Sequence, residues 1–143
     1  VIEVEGTNGC LDTSYEVEAD AAVDVLLNGG CDFAYIHLEA PDEMGHQGSY
    51  ERKVKAIENL DKRIIKRVVE KMEAAGEDFR MLVLPDHPTP VAIRTHVSDP
   101  VPYMLYDSRV DKKFDGLYNE ADAKKSGVVV EQGYTLMSKL LEK

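Results

Sequence analysis

The sequence lacks the features that mark several large protein classes. Its two cysteines, Cys10 and Cys31, are too far apart for a C-x-x-C motif and too few for a disulfide framework, which predicts two free thiols in a reducing compartment. No run reaches the roughly 18–20 apolar residues of a membrane span, and no basic start with an apolar stretch marks a signal peptide. We therefore expect a cytoplasmic protein without a membrane partner.

The sequence also has fewer basic than acidic residues. The chain has 17 Lys and Arg against 27 Asp and Glu, a net charge of −10, so it offers no basic field for a phosphate backbone, and we expect no nucleic-acid partner. Hydrophobic residues make up 43% and charged residues 31%, which is typical of a folded protein and argues against intrinsic disorder. The length of 143 residues fits one globular domain with one core.

The spacing of apolar residues predicts strands that alternate with helices. A run such as 32–38, rich in aromatic and branched side chains, is typical of a strand buried on both faces. Alternating strands and helices indicate an α/β layered fold with a mostly parallel sheet flanked by helices. The predicted helices cover residues 15–27, 49–75 and 119–125 and a final segment around 134–141, and the predicted strands cover 32–38, 79–84 and 101–106.

Metal-binding residue types are concentrated where two of these strands end. Asp42 and His46 follow the first strand, and Asp86 and His87 follow the second. Ligand sites in open α/β sheets lie outside the carboxyl ends of the strands, so the two segments should converge. His96, just before the third strand, can return to the same crevice. These five residues are our candidate metal ligands.

The spacing within each segment supports this assignment. Asp42 and His46 are four residues apart, so one helical turn would place both side chains on the same face. Asp86 and His87 are adjacent, and the three prolines within six residues of this segment favour a kinked path on which neighbouring side chains can converge. Imidazole with carboxylate suits Zn²⁺ or Mn²⁺, and five ligands exceed the needs of one catalytic zinc. We therefore expect two divalent metal ions.

Each segment taken alone has a simpler interpretation. Asp42 could cap the following helix with His46 exposed in its first turn, and Asp86 with His87 could form a polar turn. Arg94, close to His96, could bind a carboxylate or phosphate, or could form a surface ion pair. The joint placement of all these motifs at strand ends favours the metal hypothesis.

The ordered motifs resemble a known family. They read Glu39-Ala-Pro-Asp42-Glu-Met-Gly-His46, then Leu82-Val-Leu-Pro-Asp86-His87-Pro-Thr-Pro90, then Arg94-Thr-His96-Val-Ser-Asp-Pro-Val-Pro102. This series is similar to the carboxy-terminal part of cofactor-independent phosphoglycerate mutases of the archaeal-type branch, within the alkaline phosphatase superfamily. The resemblance implies an alkaline-phosphatase-like fold and interconversion of 3-phosphoglycerate and 2-phosphoglycerate in glycolysis and gluconeogenesis.

The resemblance also implies roles for individual residues. Asp42, His46 and His96 would hold one metal, and Asp86 and His87 the other. In this family an aspartate near the amino terminus and a nucleophilic serine complete the second metal site, and the serine carries the phosphoryl group as a phosphoserine. No segment here matches either residue, so no catalytic residue is assigned, and no substrate-binding residue is either.

The resemblance and the start at Val1 lead us to expect residues 1–143 to be the carboxy-terminal part of a longer enzyme, inactive alone. Two alternatives stay open. One is another phosphatase, phosphodiesterase or phosphosugar mutase of the same superfamily. The other is a metal-binding module without catalytic activity.

Overall fold

The computed structural model describes residues 1–111 and 114–142. Within these ranges the chain forms helices and a two-stranded sheet. The first half holds α1 (Tyr15–Leu27), α2 (Ala40–His46), α3 (Tyr50–Asn59), a π-helical segment (Leu60–Ile65) and α4 (Lys66–Ala75). The second half holds β1 (Arg80–Val83), β2 (Met104–Asp107), α5 (Glu120–Ser126) and α6 (Thr135–Leu141). No helix in the described ranges is long and apolar enough to cross a membrane.

The chain divides into two compact units, whereas its length suggested one core. The first unit comprises Val1–Glu77 and Thr89–Val97, and the second comprises Asp78–Pro88 and Ser98–Lys143. The chain passes between them more than once because residues 89–97 return to the helical unit after β1. The sequence offered no linker to reveal this division.

The first unit is helical and contains most of the buried side chains. Helix α1 packs against the π-helical segment and α4, and α2 packs against α3. Tyr15 and Met44 are fully buried, and Ala40, Met44 and Ala56 form a core cluster with Leu11 packed against it. Burying these apolar surfaces stabilises the arrangement by roughly 25 cal/mol per Å².

Helix boundaries follow the sequence closely. Helix α1 covers the predicted range, and the predicted long helix runs from Tyr50 to Ala75 with the π-helical segment in its middle. Gly76 ends it with φ of 72°, a left-handed conformation that glycine adopts without steric cost. The side chain of Asn119 accepts a hydrogen bond from the backbone N–H of Asp122 and caps α5, which ends at Ser126 with Gly127 as its C-cap and lies within one residue of the predicted range.

The sheet belongs to the second unit and differs in part from the prediction. Strand β1 lies within the predicted range, but β2 begins three residues later than predicted because β1 has only four residues to pair, from Arg80 with Asp107 to Val83 with Met104. The pair is antiparallel, where we expected mostly parallel pairing. An antiparallel strand at the edge of an otherwise parallel sheet is common in α/β folds, so the pair is compatible with that class.

Residues 32–38 were predicted as a strand buried on both faces, and this prediction is wrong for the described chain. The segment has no strand assignment, because no described residue forms a ladder with it. Its side chains alternate instead, with Phe33, Tyr35 and His37 exposed and the residues between them half-buried. A strand requires a neighbouring strand to accept and donate its backbone hydrogen bonds, and an apolar composition alone does not supply that neighbour.

Candidate metal centre

Helix α2 places the first two candidate ligands on one face. The helix begins directly after Glu39, with Pro41 in its first turn, and it ends at His46. Proline is favoured there because the first backbone N–H groups of a helix have no intrahelical partner. Nε2 of His46 lies 3.2 Å from Oδ2 of Asp42, one helical turn earlier. Asp42 and His46 therefore lie on the same face of the helix, as one helical turn between them requires.

The loop of residues 89–97 brings His96 to the same pair. Its Nε2 lies 3.1 Å from Nε2 of His46 and 3.4 Å from Oδ1 of Asp42. The three side chains offer one donor atom each, all within 4.8 Å of one another, and they are partly exposed to solvent. Within the described part of the chain, this is the cluster of His, Cys, Asp and Glu whose spacing suits a metal ion.

The backbone carbonyl of Arg94 fixes the orientation of His46. It lies 3.0 Å from Nδ1 of His46, and because a carbonyl can only accept, Nδ1 must carry a proton in this hydrogen bond. The Nε2 atom of a neutral His46 then presents its lone pair to the cluster. Arg94 has φ of 61°, an unusual value for a residue other than glycine, which marks a constrained turn at this carbonyl.

These donor atoms fit a divalent metal ion. Three potential donor atoms converge at 3.1–3.4 Å, close enough for one cation to contact all three. Zinc bonds of about 2.0–2.2 Å in a tetrahedral arrangement place neighbouring donors about 3.3–3.6 Å apart, close to these separations. Metal-binding histidines usually donate their other ring N–H to a carbonyl or carboxylate, as His46 does. The spacing and chemistry of the residues present therefore suit Zn²⁺ or Mn²⁺.

Asp86 and His87 belong to the second unit and contact each other. Nε2 of His87 lies 3.3 Å from Oδ2 of Asp86, and the backbone N–H of His87 donates to Oδ1 of the same carboxylate. The turn after β1 thus brings adjacent side chains together, as the prolines suggested. The role of this pair as ligands of a second metal stays a prediction.

Sequence reasoning assigned no role to Thr89, which contacts the cluster, or to Lys53, which contacts Thr89. The hydroxyl of Thr89 donates a hydrogen bond to Oδ1 of Asp42, and Nζ of Lys53 donates to the carbonyl of Thr89 over 2.6 Å. Thr89 lies inside the proline-rich motif, so its position offered a signal. Lys53 is one of many basic residues on the long helix, and nothing in the sequence separates it from the others.

Comparison with known proteins agrees with these observations. A sequence model of the Metalloenzyme superfamily matches residues 1–140. The chain is 42% identical over 143 residues to the 2,3-bisphosphoglycerate-independent phosphoglycerate mutase of Methanosarcina barkeri, which covers 99% of this chain and 35% of that protein. It is 42% identical over 144 residues to a probable enzyme of the same name from Geobacter sulfurreducens, and that match covers 100% of this chain and 35% of the Geobacter protein.

A solved structure is also similar. The PH0037 protein from Pyrococcus horikoshii superposes with a TM-score of 0.76 at 27% identity, over 87% of this chain and 36% of that one. The chain thus spans about a third of the length of the relatives it matches. The predicted resemblance to archaeal-type phosphoglycerate mutases and the predicted incomplete α/β fold are confirmed. The chain belongs to the Metalloenzyme superfamily.

Proposed function

We propose that the chain is the carboxy-terminal, metal-binding part of a cofactor-independent phosphoglycerate mutase. The whole enzyme would interconvert 3-phosphoglycerate and 2-phosphoglycerate in the cytoplasm, in glycolysis and gluconeogenesis. The observation that carries the proposal is the convergence of Asp42, His46 and His96 within a chain that resembles such enzymes along its length. The share of each relative that is matched supports assigning it to one part of the enzyme.

The site residues have distinct roles under this proposal. Asp42 supplies negative charge, and His46 and His96 supply neutral nitrogen donors at 3.1–3.4 Å from one another. A divalent cation bound there would stabilise negative charge on a phosphoryl group as a Lewis acid. The Arg94 carbonyl keeps the His46 ring turned so that Nε2 faces the site, which reduces the reorganisation required on binding.

We propose that Asp86 and His87 hold a second metal ion of the same kind. Their mutual contact and their mix of nitrogen and oxygen donors support this assignment. Isothermal titration of protein from the full reading frame with Zn²⁺ or Mn²⁺ tests it, using one variant with Asp42→Asn and His46→Ala and another with Asp86→Asn and His87→Ala. Two ions bound to the wild type and one to each variant are expected. An unchanged stoichiometry in the second variant would remove Asp86 and His87 from the site.

An assay of the complete enzyme tests the activity. Protein from the full reading frame is supplied with 3-phosphoglycerate, 2-phosphoglycerate or p-nitrophenyl phosphate, with and without added Mn²⁺ or Zn²⁺. Metal-dependent interconversion of the two phosphoglycerates is the expected result. Hydrolysis of the generic ester without interconversion would favour a phosphatase of the same superfamily. Metal binding with no turnover of any of the three would favour a module without catalysis.

A further inference from the structure

Thr89 makes a specific contact with one of the candidate ligands. The residue is 3% exposed, and its hydroxyl donates a hydrogen bond to Oδ1 of Asp42, which lies 47 residues earlier in the chain. A buried hydroxyl directed at a carboxylate is a charge-assisted contact, stronger than one between neutral groups. The position of Asp42 is therefore linked to the position of Thr89.

The carboxylate of Asp42 needs such a contact if it is to bind metal in a fixed direction. One of its oxygens lies 3.2 Å from His46 and the other 3.4 Å from His96, so its rotation changes both distances. The terminal torsion of an aspartate is broad and does not fix the carboxylate plane by itself. A carboxylate oxygen can accept more than one contact, so the Thr89 hydroxyl still leaves electron pairs for a cation.

Contacts to its carbonyl group fix the backbone of Thr89. Nζ of Lys53 on α3 donates to the Thr89 carbonyl over 2.6 Å, and Gly45 of α2 lies against the same carbonyl. A Cβ atom at Gly45 would lie 2.5 Å from the Thr89 carbonyl oxygen, so the close approach of α2 to Thr89 depends on glycine. Residues of two helices thus restrict the backbone from which the hydroxyl extends.

We propose that Thr89 is a positioning residue for the metal ligand Asp42, an inference that rests on the proposed metal centre. Its hydroxyl holds the carboxylate in the orientation that faces both histidines. Loss of a group that orients a ligand typically lowers metal affinity about 10–100-fold. Thr89→Val, which keeps the shape of the side chain and removes the donor, should lower the affinity for Zn²⁺ by this factor. Thr89→Ser, which keeps the hydroxyl, should restore most of it.

The test measures binding and geometry in the 143-residue chain. Titration calorimetry with Zn²⁺ gives the affinity, and the visible absorption of bound Co²⁺ reports the ligand geometry. We expect the Co²⁺ spectrum to change in Thr89→Val and to match the wild type in Thr89→Ser. Thr89→Ala is a second variant without the hydroxyl, for use if Thr89→Val does not fold, and it should show the same loss.

The outcomes separate this inference from the metal centre itself. Zn²⁺ binding by the wild type that is lost in Asp42→Asn would support the metal centre. If Thr89→Val and Thr89→Ala then bind Zn²⁺ as tightly as the wild type and leave the Co²⁺ spectrum unchanged, the positioning role of Thr89 is wrong while the metal centre stands. If the wild type binds no Zn²⁺, the metal centre and the inference fail together. If Thr89→Ser also lowers the affinity for Zn²⁺, the cause would be altered packing around the missing methyl group, and the proposed role of the hydroxyl would be overturned.

Discussion

The Nε2 atoms of His46 and His96 lie 3.1 Å apart although fifty residues separate them in the chain. The hydrogen bond from Nδ1 of His46 to the Arg94 carbonyl leaves Nε2 as the donor atom that faces His96. Two imidazole nitrogens and the Asp42 carboxylate at this separation form a donor set that a shared cation can bind. The predictions that follow depend on this arrangement or on the helices that support it.

Removing any of the three ligands should weaken metal binding. His46→Ala and His96→Ala each delete one nitrogen donor, Asp42→Asn replaces a charged carboxylate oxygen with a neutral amide oxygen, and each change should cost more than the roughly 10–100-fold typical of losing an orienting group. Titration with Zn²⁺ measures the change in the dissociation constant. His37→Ala is a matched control because His37 is exposed and contacts Tyr35 and Glu39. A loss of equal size in the control would contradict the assignment.

Gly45→Ala should destabilise the helical unit and weaken metal binding. Alanine normally stabilises a helix interior over glycine by about 1 kcal/mol, but here the added Cβ would lie 2.5 Å from the Thr89 carbonyl oxygen and 3.0 Å from Nζ of Lys53. We expect a net loss of about 1–3 kcal/mol from overpacking, measured by urea denaturation. Gly133→Ala is the control, because a Cβ there meets nothing within 4 Å. A stabilised Gly45→Ala would show that α2 and Thr89 are not tightly packed.

Two ion pairs between α1 and the long helix should make stability depend on pH. Arg63 contacts Glu16 at 2.6 and 2.7 Å, and its guanidinium lowers the pKa of that carboxyl from 4.5 to about 2. Arg67, assisted by Lys71, lowers the pKa of Asp20 from 3.8 to about 2. Because both pKa values are lower in the folded state, the contribution is complete above about pH 4.5 and is lost as the pH falls toward 2.

Glu16→Gln and Asp20→Asn measure that contribution. Both carboxylates are partly exposed, so solvent screening limits each pair to about 0.2–1 kcal/mol at pH 7. The difference from the wild type in the free energy of unfolding should shrink between pH 4.5 and 3. Glu70→Gln serves as the control, since Glu70 forms one exposed contact of 3.6 Å with Lys66. A difference that stays constant down to pH 3 would contradict the pKa shifts.

Both cysteines should react in the folded protein. Cys10 and Cys31 are free, as the sequence suggested, and both are exposed in the structure, so a thiol reagent such as DTNB should release two equivalents without denaturant or reductant. Cys10→Ser and Cys31→Ser should each lower this to one. Release of fewer than two equivalents from the freshly reduced wild type would show that a thiol is covered.

The sequence predicted best where local rules decide the outcome. The bounds of α1, the end of the long helix at Ala75 and the approximate range of α5 follow from apolar spacing and local stop signals. The spacing of Asp42 and His46 places both on one face once a helix forms there. These features depend on residues a few positions apart, so an amino-acid pattern is sufficient to define them.

Features set by distant residues could not be predicted in the same way. Residues 32–38 have the composition of a strand, but strand formation depends on a neighbour that composition does not reveal. The antiparallel register of β1 with β2 and the contact of Thr89 with Asp42 also join residues far apart in the chain. The convergence of His96 with His46 was expected only because ligand sites collect at the carboxyl ends of strands.

Anomalous diffraction from crystals of this chain soaked with Zn²⁺ would show whether Asp42, His46 and His96 bind a metal ion. Data collected on both sides of the zinc absorption edge locate the ion and identify it. We expect a peak about 2.0–2.2 Å from Nε2 of His46, Nε2 of His96 and a carboxylate oxygen of Asp42. The absence of a peak at these three residues, with zinc bound elsewhere or not at all, would contradict this expectation.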